Sequence, residues 1–236
     1  MSATLTLNER PEHIQMNSKL TCNVIPEHIL NWFITSRQRF LKDLKDGKPL
    51  KYFSAHLPVM ATWNKENPFP VNMTVKGIGL IPKDDLLEHY IDIFESTLAE
   101  TRTMPWTESL PKRVDTVNRL YSRTEDFNPA ILGGLEIFEG TAFQNLCENP
   151  NASLLYVGMS HTESGVQYVS FQINGEVQIL EKDSIYYRFL LASRKLFEFD
   201  SFHLFQFNYP FGYLINVMEV RDKSPFTRKK SGEPQG

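Results

Sequence analysis

The stretch from Val166 to Leu180 alternates strictly. Val169, Phe171, Ile173, Val177 and Ile179 take one set of positions, and Ser170, Gln172, Asn174, Glu176 and Gln178 take the other. Such a period of two belongs to a strand, and a strand this long with one apolar side needs a sheet to share the core it faces. Its other side is wet or turned toward a ligand. Further strand signals fall at Ala130 to Phe138, at Ala152 to Gly158 and at roughly Tyr213 to Val220, with MSHTESG as the polar loop of a hairpin. The chain has 41% apolar residues over 236 positions, enough for a substantial core, and its 17 Phe and 9 Tyr suit packed sheet faces better than a helical bundle.

Helical periodicity surrounds the strands. PEHILNWFITSRQRFLKDLKDGKP puts Ile29, Leu30, Phe33, Phe40, Leu41 and Leu44 near one face, with Gly47 and Pro49 as the stop. SAHLPVMATWNKENPFPVNMTVKGIGLI reads as a hairpin, two apolar runs around an Asn-Lys-Glu-Asn-Pro turn. From Lys83 to Phe127 the chain turns helical. Leu86, Leu87, Tyr90, Ile93, Phe94 and Leu98 share a face behind acidic Asp84 and Asp85, and after Pro105 and Pro111 a shorter helix carries Lys112, Arg113, Arg119 and Arg123. That basic group is a solvated face or an anion clamp. SIYYRFLLASRKLF is a last helix, with Ile185, Phe189, Leu190 and Leu196 inward. Residues 1–23 read as a loosely held arm, 24–225 as one domain and 226–236 as a polar tail.

Composition excludes several classes. With Lys+Arg 25 against Asp+Glu 28, nothing favours nucleic acid or an anionic membrane as a partner. No window approaches 18 uninterrupted apolar residues, and the start lacks a secretory pattern. Cys22 and Cys147 alone make neither a disulfide framework nor a zinc site, which fits a reducing, cytoplasmic setting. The six His have no metal-ligand spacing, so no metal is expected. His56 and His203 are the two best placed to sit in a pocket, against the plainer reading of structural histidines. No Gly-x-Ser-x-Gly elbow, P-loop or complete dinucleotide fingerprint occurs, and Gly77-Ile78-Gly79 lacks a following helix.

Two stretches resemble the pyridoxamine-phosphate-oxidase-like split-barrel flavin proteins. Leu57-Pro58-Val59-Met60-Ala61-Thr62-Trp63, then Pro70-Val71-Asn72-Met73-Thr74-Val75-Lys76-Gly77, is similar to that family's opening hairpin. FEGTAFQNLCENPNASLLYVG, Phe138 to Gly158, resembles its strand-link-strand passage: a link ending Asn145-Leu146, then Asn149-Pro150, Ala152-Ser153-Leu154 and a later Gly175-Glu176-Val177 strand. The helical residues 83–127 stand where the family has a short turn. The resemblance implies an α+β fold, an antiparallel split β-barrel with peripheral helices and a helical insertion. It also implies a homodimer and an FMN site.

An FMN site needs cations and hydroxyls for the phosphate and an apolar wall for the ring. The family's phosphate-binding Arg and Lys positions fall on Met73 and Ala142, and its Ser position on Gly140. Each charge-assisted contact contributes about 1.5–3 kcal/mol, so two missing cations weaken phosphate binding by roughly 100-fold or more. Lys76, the Arg119/Arg123 pair, or Arg188 and Arg194 are the replacements within reach. The cofactor-binding candidates are thus Thr74, Lys76, Thr141, Asn145 and Arg188, with no side chain singled out as catalytic. Against them stand plainer roles: Lys76 as a solvated strand edge, Thr141 as a helix cap and Asn145 closing the link. The expected function is binding of FMN or a related planar cofactor with possible oxidoreductase activity on a small molecule. The alternative is a non-catalytic small-ligand-binding or protein-interaction module without the flavin.

Overall fold

The computed structural model describes residues 23–49, 52–66, 68–162, 165–197 and 209–225. The N-terminal arm, most of the aromatic run around His203 and the C-terminal tail lie outside the described residues. Among the described residues five helices, α1 (Glu27–Lys45), α2 (Leu87–Glu100), α3 (Trp106–Tyr121), α4 (Thr141–Glu148) and α5 (Ile185–Lys195), accompany seven strands. The strands are β1 (Val59–Trp63), β2 (Val71–Val75), β3 (Ile78–Pro82), β4 (Phe127–Leu135), β5 (Asn151–Thr162), β6 (Gly165–Leu180) and β7 (Gly212–Asp222).

All strands belong to one antiparallel sheet in the order β2-β1-β5-β6-β7-β4-β3. The two edges of that order, β2 and β3, are consecutive in sequence and separated only by Lys76 and Gly77. Two residues cannot hold the flanking Cα atoms more than about 10 Å apart. The sheet therefore curls until its edges meet at one corner, while no ladder joins them, which makes an α+β fold around an unclosed, split barrel. The apolar run after Pro70, which the sequence pattern presents as one strand, breaks at this corner: Lys76 N–H donates to the Pro58 carbonyl and Ile78 N–H to that of His56.

The alternation of β6 is realised: Phe171, Ile173, Gly175 and Val177 point inward, and a bulge at Asn174 and Gly175 shifts the register against β7. The β5–β6 pairing runs to Thr162 opposite Gly165, further than a polar loop at MSHTESG implies. Gly165 adopts φ +116, a conformation L side chains rarely take, and the tight connection uses it. Inside the barrel lie Met60, Leu154, Tyr156, Ile173 and Ile215, all fully buried. The α1 helix lies across this end, its Trp32 and Phe33 meeting Phe171 and Tyr156 edge to face at 5.3 and 4.8 Å. Such pairs each contribute about 0.5–1.5 kcal/mol beyond burial.

The second helix of the 83–127 segment begins a turn earlier than Pro111 suggests. Pro105 occupies its N-cap and Ser109 N–H donates to the Pro105 carbonyl, so Pro111 sits inside α3. One backbone bond is forgone there, and buried Val114, Val117 and Leu120 offset the loss. The basic group divides rather than converging: Arg113 donates to Thr101 and to the carbonyls of Lys195 and Leu196, while Arg123 pairs with Asp126.

Candidate functional site

Thr74 and Lys76 fall on the side of β2 opposite to Met73, and Thr74 stands beside buried Met60 of β1. The Lys76 ammonium reaches both carboxylate oxygens of Glu136 at 2.7 Å. Glu136 is fully buried and accepts further hydrogen bonds from the Phe138 N–H and the Tyr213 hydroxyl. Burial and Glu136 together raise the Tyr213 phenol far above its ordinary range, so it stays a donor. The positive charge of Lys76 is neutralised inside the protein. Asn145 is buried with its amide on the Thr62 hydroxyl at 3.2 Å, and Thr141 is exposed at the start of α4, which packs on β1 and β2. Arg188 faces α2, paired with Glu95 at 2.5 Å. Met73 is exposed and Ala142 is buried.

A cavity of about 410 Å³ lies elsewhere, between α1, α5 and the corner where the barrel splits. None of the five candidates lines it. Its size is that of a small-molecule site. Gly77 and Gly79 at the barrel corner leave room for the imidazole of His56, whose Nδ1 would stand 3.1 Å from a Cβ added at Gly79. Phe40 and Phe53 stack on each other at 4.5 Å and 8°, and Phe53 stacks on His56 at 5.7 Å. Two cations complete the lining. Arg194 donates from Nε to the Tyr209 hydroxyl at 2.9 Å. Arg37 is 9% exposed, its Nε has no hydrogen-bond partner, and its guanidinium carbon lies 5.3–5.7 Å from the ring centres of Phe40, Phe53, Tyr121 and Phe197. Among the described residues no carboxylate forms an ion pair with either arginine.

Cation–π contacts stabilise a guanidinium by about 0.5–2 kcal/mol each. Removing an ion from water costs several kcal/mol, so the rings offset much of the Arg37 burial but supply no hydrogen-bond acceptor. Sequence periodicity contained the signal: Arg37 falls four residues after Phe33 and four before Leu41, a cation inside the apolar stripe of α1. Arg194, six residues beyond Arg188, is the α5 arginine that lines the cavity, and His56 lines it too.

Burial first, then the charges of Arg37 and Arg194, lowers the His56 pKa to about 3. The imidazole is neutral at pH 7 in the folded protein, whereas the unfolded chain binds a proton near pH 6.5. The unfolded state thus holds more protons between those values, and stability falls as pH drops through that window. The expected slope from this group is about 1.4 kcal/mol per pH unit, fading near pH 3. Chemical denaturation across pH 7 to 4 measures it, and His56→Gln should flatten the curve. An unchanged slope in that variant would show that His56 is not buried as described.

The outer face of β2, β1, β5 and β6 is apolar and partly open. Exposed Val71, Met73 and Val75 stand opposite Trp63, Ala61 and Val59, and the row continues through Leu155, Val157 and Met159 to Tyr168. No described helix is long and apolar enough to cross a membrane, and among the described residues no three His, Cys, Asp or Glu cluster as metal ligands.

No protein-family model and no curated protein matches the sequence. Solved structures do match in architecture. A pyridoxamine 5'-phosphate oxidase-like protein of Lactobacillus delbrueckii is 15% identical, with a TM-score of 0.42 over 86% of this chain and 98% of its own. An FMN-binding protein of Syntrophomonas wolfei is 8% identical, with a TM-score of 0.41 over 84% and 93%. HutZ, the heme storage protein of Vibrio cholerae, is 10% identical, with a TM-score of 0.38 over 84% and 94%. Among the solved structures similar to this chain are thus pyridoxamine 5'-phosphate oxidase-like, FMN-binding and heme-storage proteins.

Proposed function

We propose that this protein is a small-ligand-binding split barrel whose cavity holds a planar molecule, FMN or a related cofactor being the first candidate. The observation that carries the reading is an aromatic-walled cavity of about 410 Å³ whose lining includes buried Arg37, with its Nε lacking a hydrogen-bond partner. These residues fit a planar anion: the Phe40–Phe53 stack offers an aromatic wall, the two guanidiniums face negative charge, and His56 adds a neutral imidazole. A bound flavin would supply electron transfer for oxidation or reduction of a small molecule. The chain's part is to stack the ring, orient the anion and keep water from it. Thr74, Lys76, Thr141, Asn145 and Arg188 are retained as proposed contacts should the phosphate instead sit at the family's usual position. Lys76 and Arg188 would then have to leave Glu136 and Glu95.

A second reading, a cytoplasmic ligand-binding or interaction module without the flavin, draws support from Met73, Ala142 and the neutralised Lys76. In both readings two copies associate through the apolar outer face of β2, β1, β5 and β6, since monomers rarely leave such a contiguous patch to water. Purified protein should have a dimer's mass by light scattering, and Met73→Lys with Val157→Lys should have a monomer's. A monomeric wild type would remove the pairing from both readings. An absorption band near ~450 nm in the purified protein, or one that stays with the protein after added FMN has been removed by gel filtration, supports the first reading. A colourless dimer that binds no FMN leaves the second.

A further inference from the structure

We propose that Arg37 and Arg194 form an anion-binding end of the cavity, so that its ligand is a planar aromatic molecule bearing a phosphate or carboxylate. The inference rests on the reading that the cavity is the ligand site, and it names the ligand's charge and the residues that recognise it. Three observations carry it. Arg37 is 9% exposed with its Nε unpaired, and it has no described carboxylate as partner. It lines an open volume instead of packing against a counter-ion, and Arg194 lines the same volume, its Nε anchored by Tyr209. The remaining walls are aromatic, aliphatic or glycine, with the Ser193 hydroxyl and a neutral imidazole, so nothing described in the lining repels negative charge.

A buried guanidinium nitrogen that the described residues leave without an acceptor is complete only when something else provides one. Aromatic faces stabilise its charge but accept none of its five N–H bonds in the fork geometry that a carboxylate or phosphate matches. A neutral ligand would leave that deficit in place, and a cation would be repelled by both arginines. The occupant that removes the deficit is an anion, and the stacked rings select a flat aromatic body for the rest of it.

The test compares FMN, riboflavin and inorganic phosphate on the full chain, by calorimetry and thermal shift, in wild type, Arg37→Met and Arg37→Lys. Riboflavin carries the same ring as FMN without the phosphate. Wild type should bind FMN at least about tenfold tighter than riboflavin, the worth of one charge-assisted contact. Arg37→Met should erase that difference while leaving riboflavin affinity unchanged, and Arg37→Lys should keep part of it. Retained riboflavin binding certifies that the variant's cavity is intact. Equal affinities for the two flavins in wild type, or a preference that survives Arg37→Met, overturn the inference and leave the planar-ligand reading standing. If neither flavin binds but phosphate stabilises wild type and not Arg37→Met, the anion end stands and the flavin reading falls. No response to any of the three overturns both.

Discussion

Glu136→Gln should unfold well below wild type, with a loss of about 3–5 kcal/mol, the usual result of removing one member of a buried ion pair. For a chain of this size that corresponds to a drop in Tm of about 6–20 °C. The physical reason is the number of groups that share this carboxylate. Lys76, whose side chain is 14% exposed, places its ammonium 2.7 Å from Glu136 and 5.6 Å from the Tyr213 ring centre. Tyr213 is fully buried and donates its hydroxyl to the same carboxylate, as does the Phe138 N–H. Glutamine keeps an acceptor for one or two of these donors but leaves the ammonium without a counter-charge. Lys76 also stands at the corner between β2 and β3, so the loss reaches the point where the barrel edges meet. Adding Lys76→Met to Glu136→Gln should restore a good part of the stability, because an apolar side chain needs no partner there. Thermal unfolding of the three proteins measures this, and a single variant within about 2 °C of wild type would show that the cluster is not a buried ion pair.

Gly134→Ala should be at least as damaging. A Cβ at position 134 would lie 2.1 Å from the Gly77 carbonyl oxygen and 2.7 Å from Ile78 Cδ1. The first of these is backbone and cannot rotate away, so β3 and β4 must separate where Ile78 pairs with Gly134. Overpacked cores lose about 1–3 kcal/mol when side chains can adjust, and a backbone collision belongs to the class of substitutions costing about 4 kcal/mol or more. Because Gly77 and Gly134 both line the cavity, the same change should distort its wall. Poor recovery of folded protein, or a cooperative transition shifted down by about 10 °C, is the expected result by calorimetry. Gly140→Ala, whose Cβ would meet only the Phe138 carbonyl oxygen at 3.9 Å, is the matched control and should be near neutral.

The strands were legible in the sequence wherever one face is buried and the other wet, as in β6, because the period of two survives there. The break at Lys76-Gly77 was hidden because both flanking segments are β-branched and apolar, and only the sheet order assigns them to opposite edges. Pro111 misled the α3 boundary for a similar reason: a single forgone backbone bond is a small deficit beside the burial of Val114, Val117 and Leu120. The resemblance drew attention to the β2–α4 corner, yet the cations nearest to it in sequence are held by partners far along the chain. Glu136 follows Lys76 by 60 residues, and Arg188 follows Glu95 by 93. Such pairings leave no trace in local pattern. Arg37 was legible in principle as a charge in an apolar stripe, but its lack of a partner is a property of the folded neighbourhood.

Whether a small planar ligand occupies the cavity beside His56 is tested most directly by the histidine ring resonances of the protein titrated with FMN. His56 lines the cavity, whereas His28 and His89 stand outside it. Binding should move the His56 ring signals and leave those of His28 and His89 in place. FMN that binds while His56 stays unmoved, or that fails to bind at all, would contradict the account.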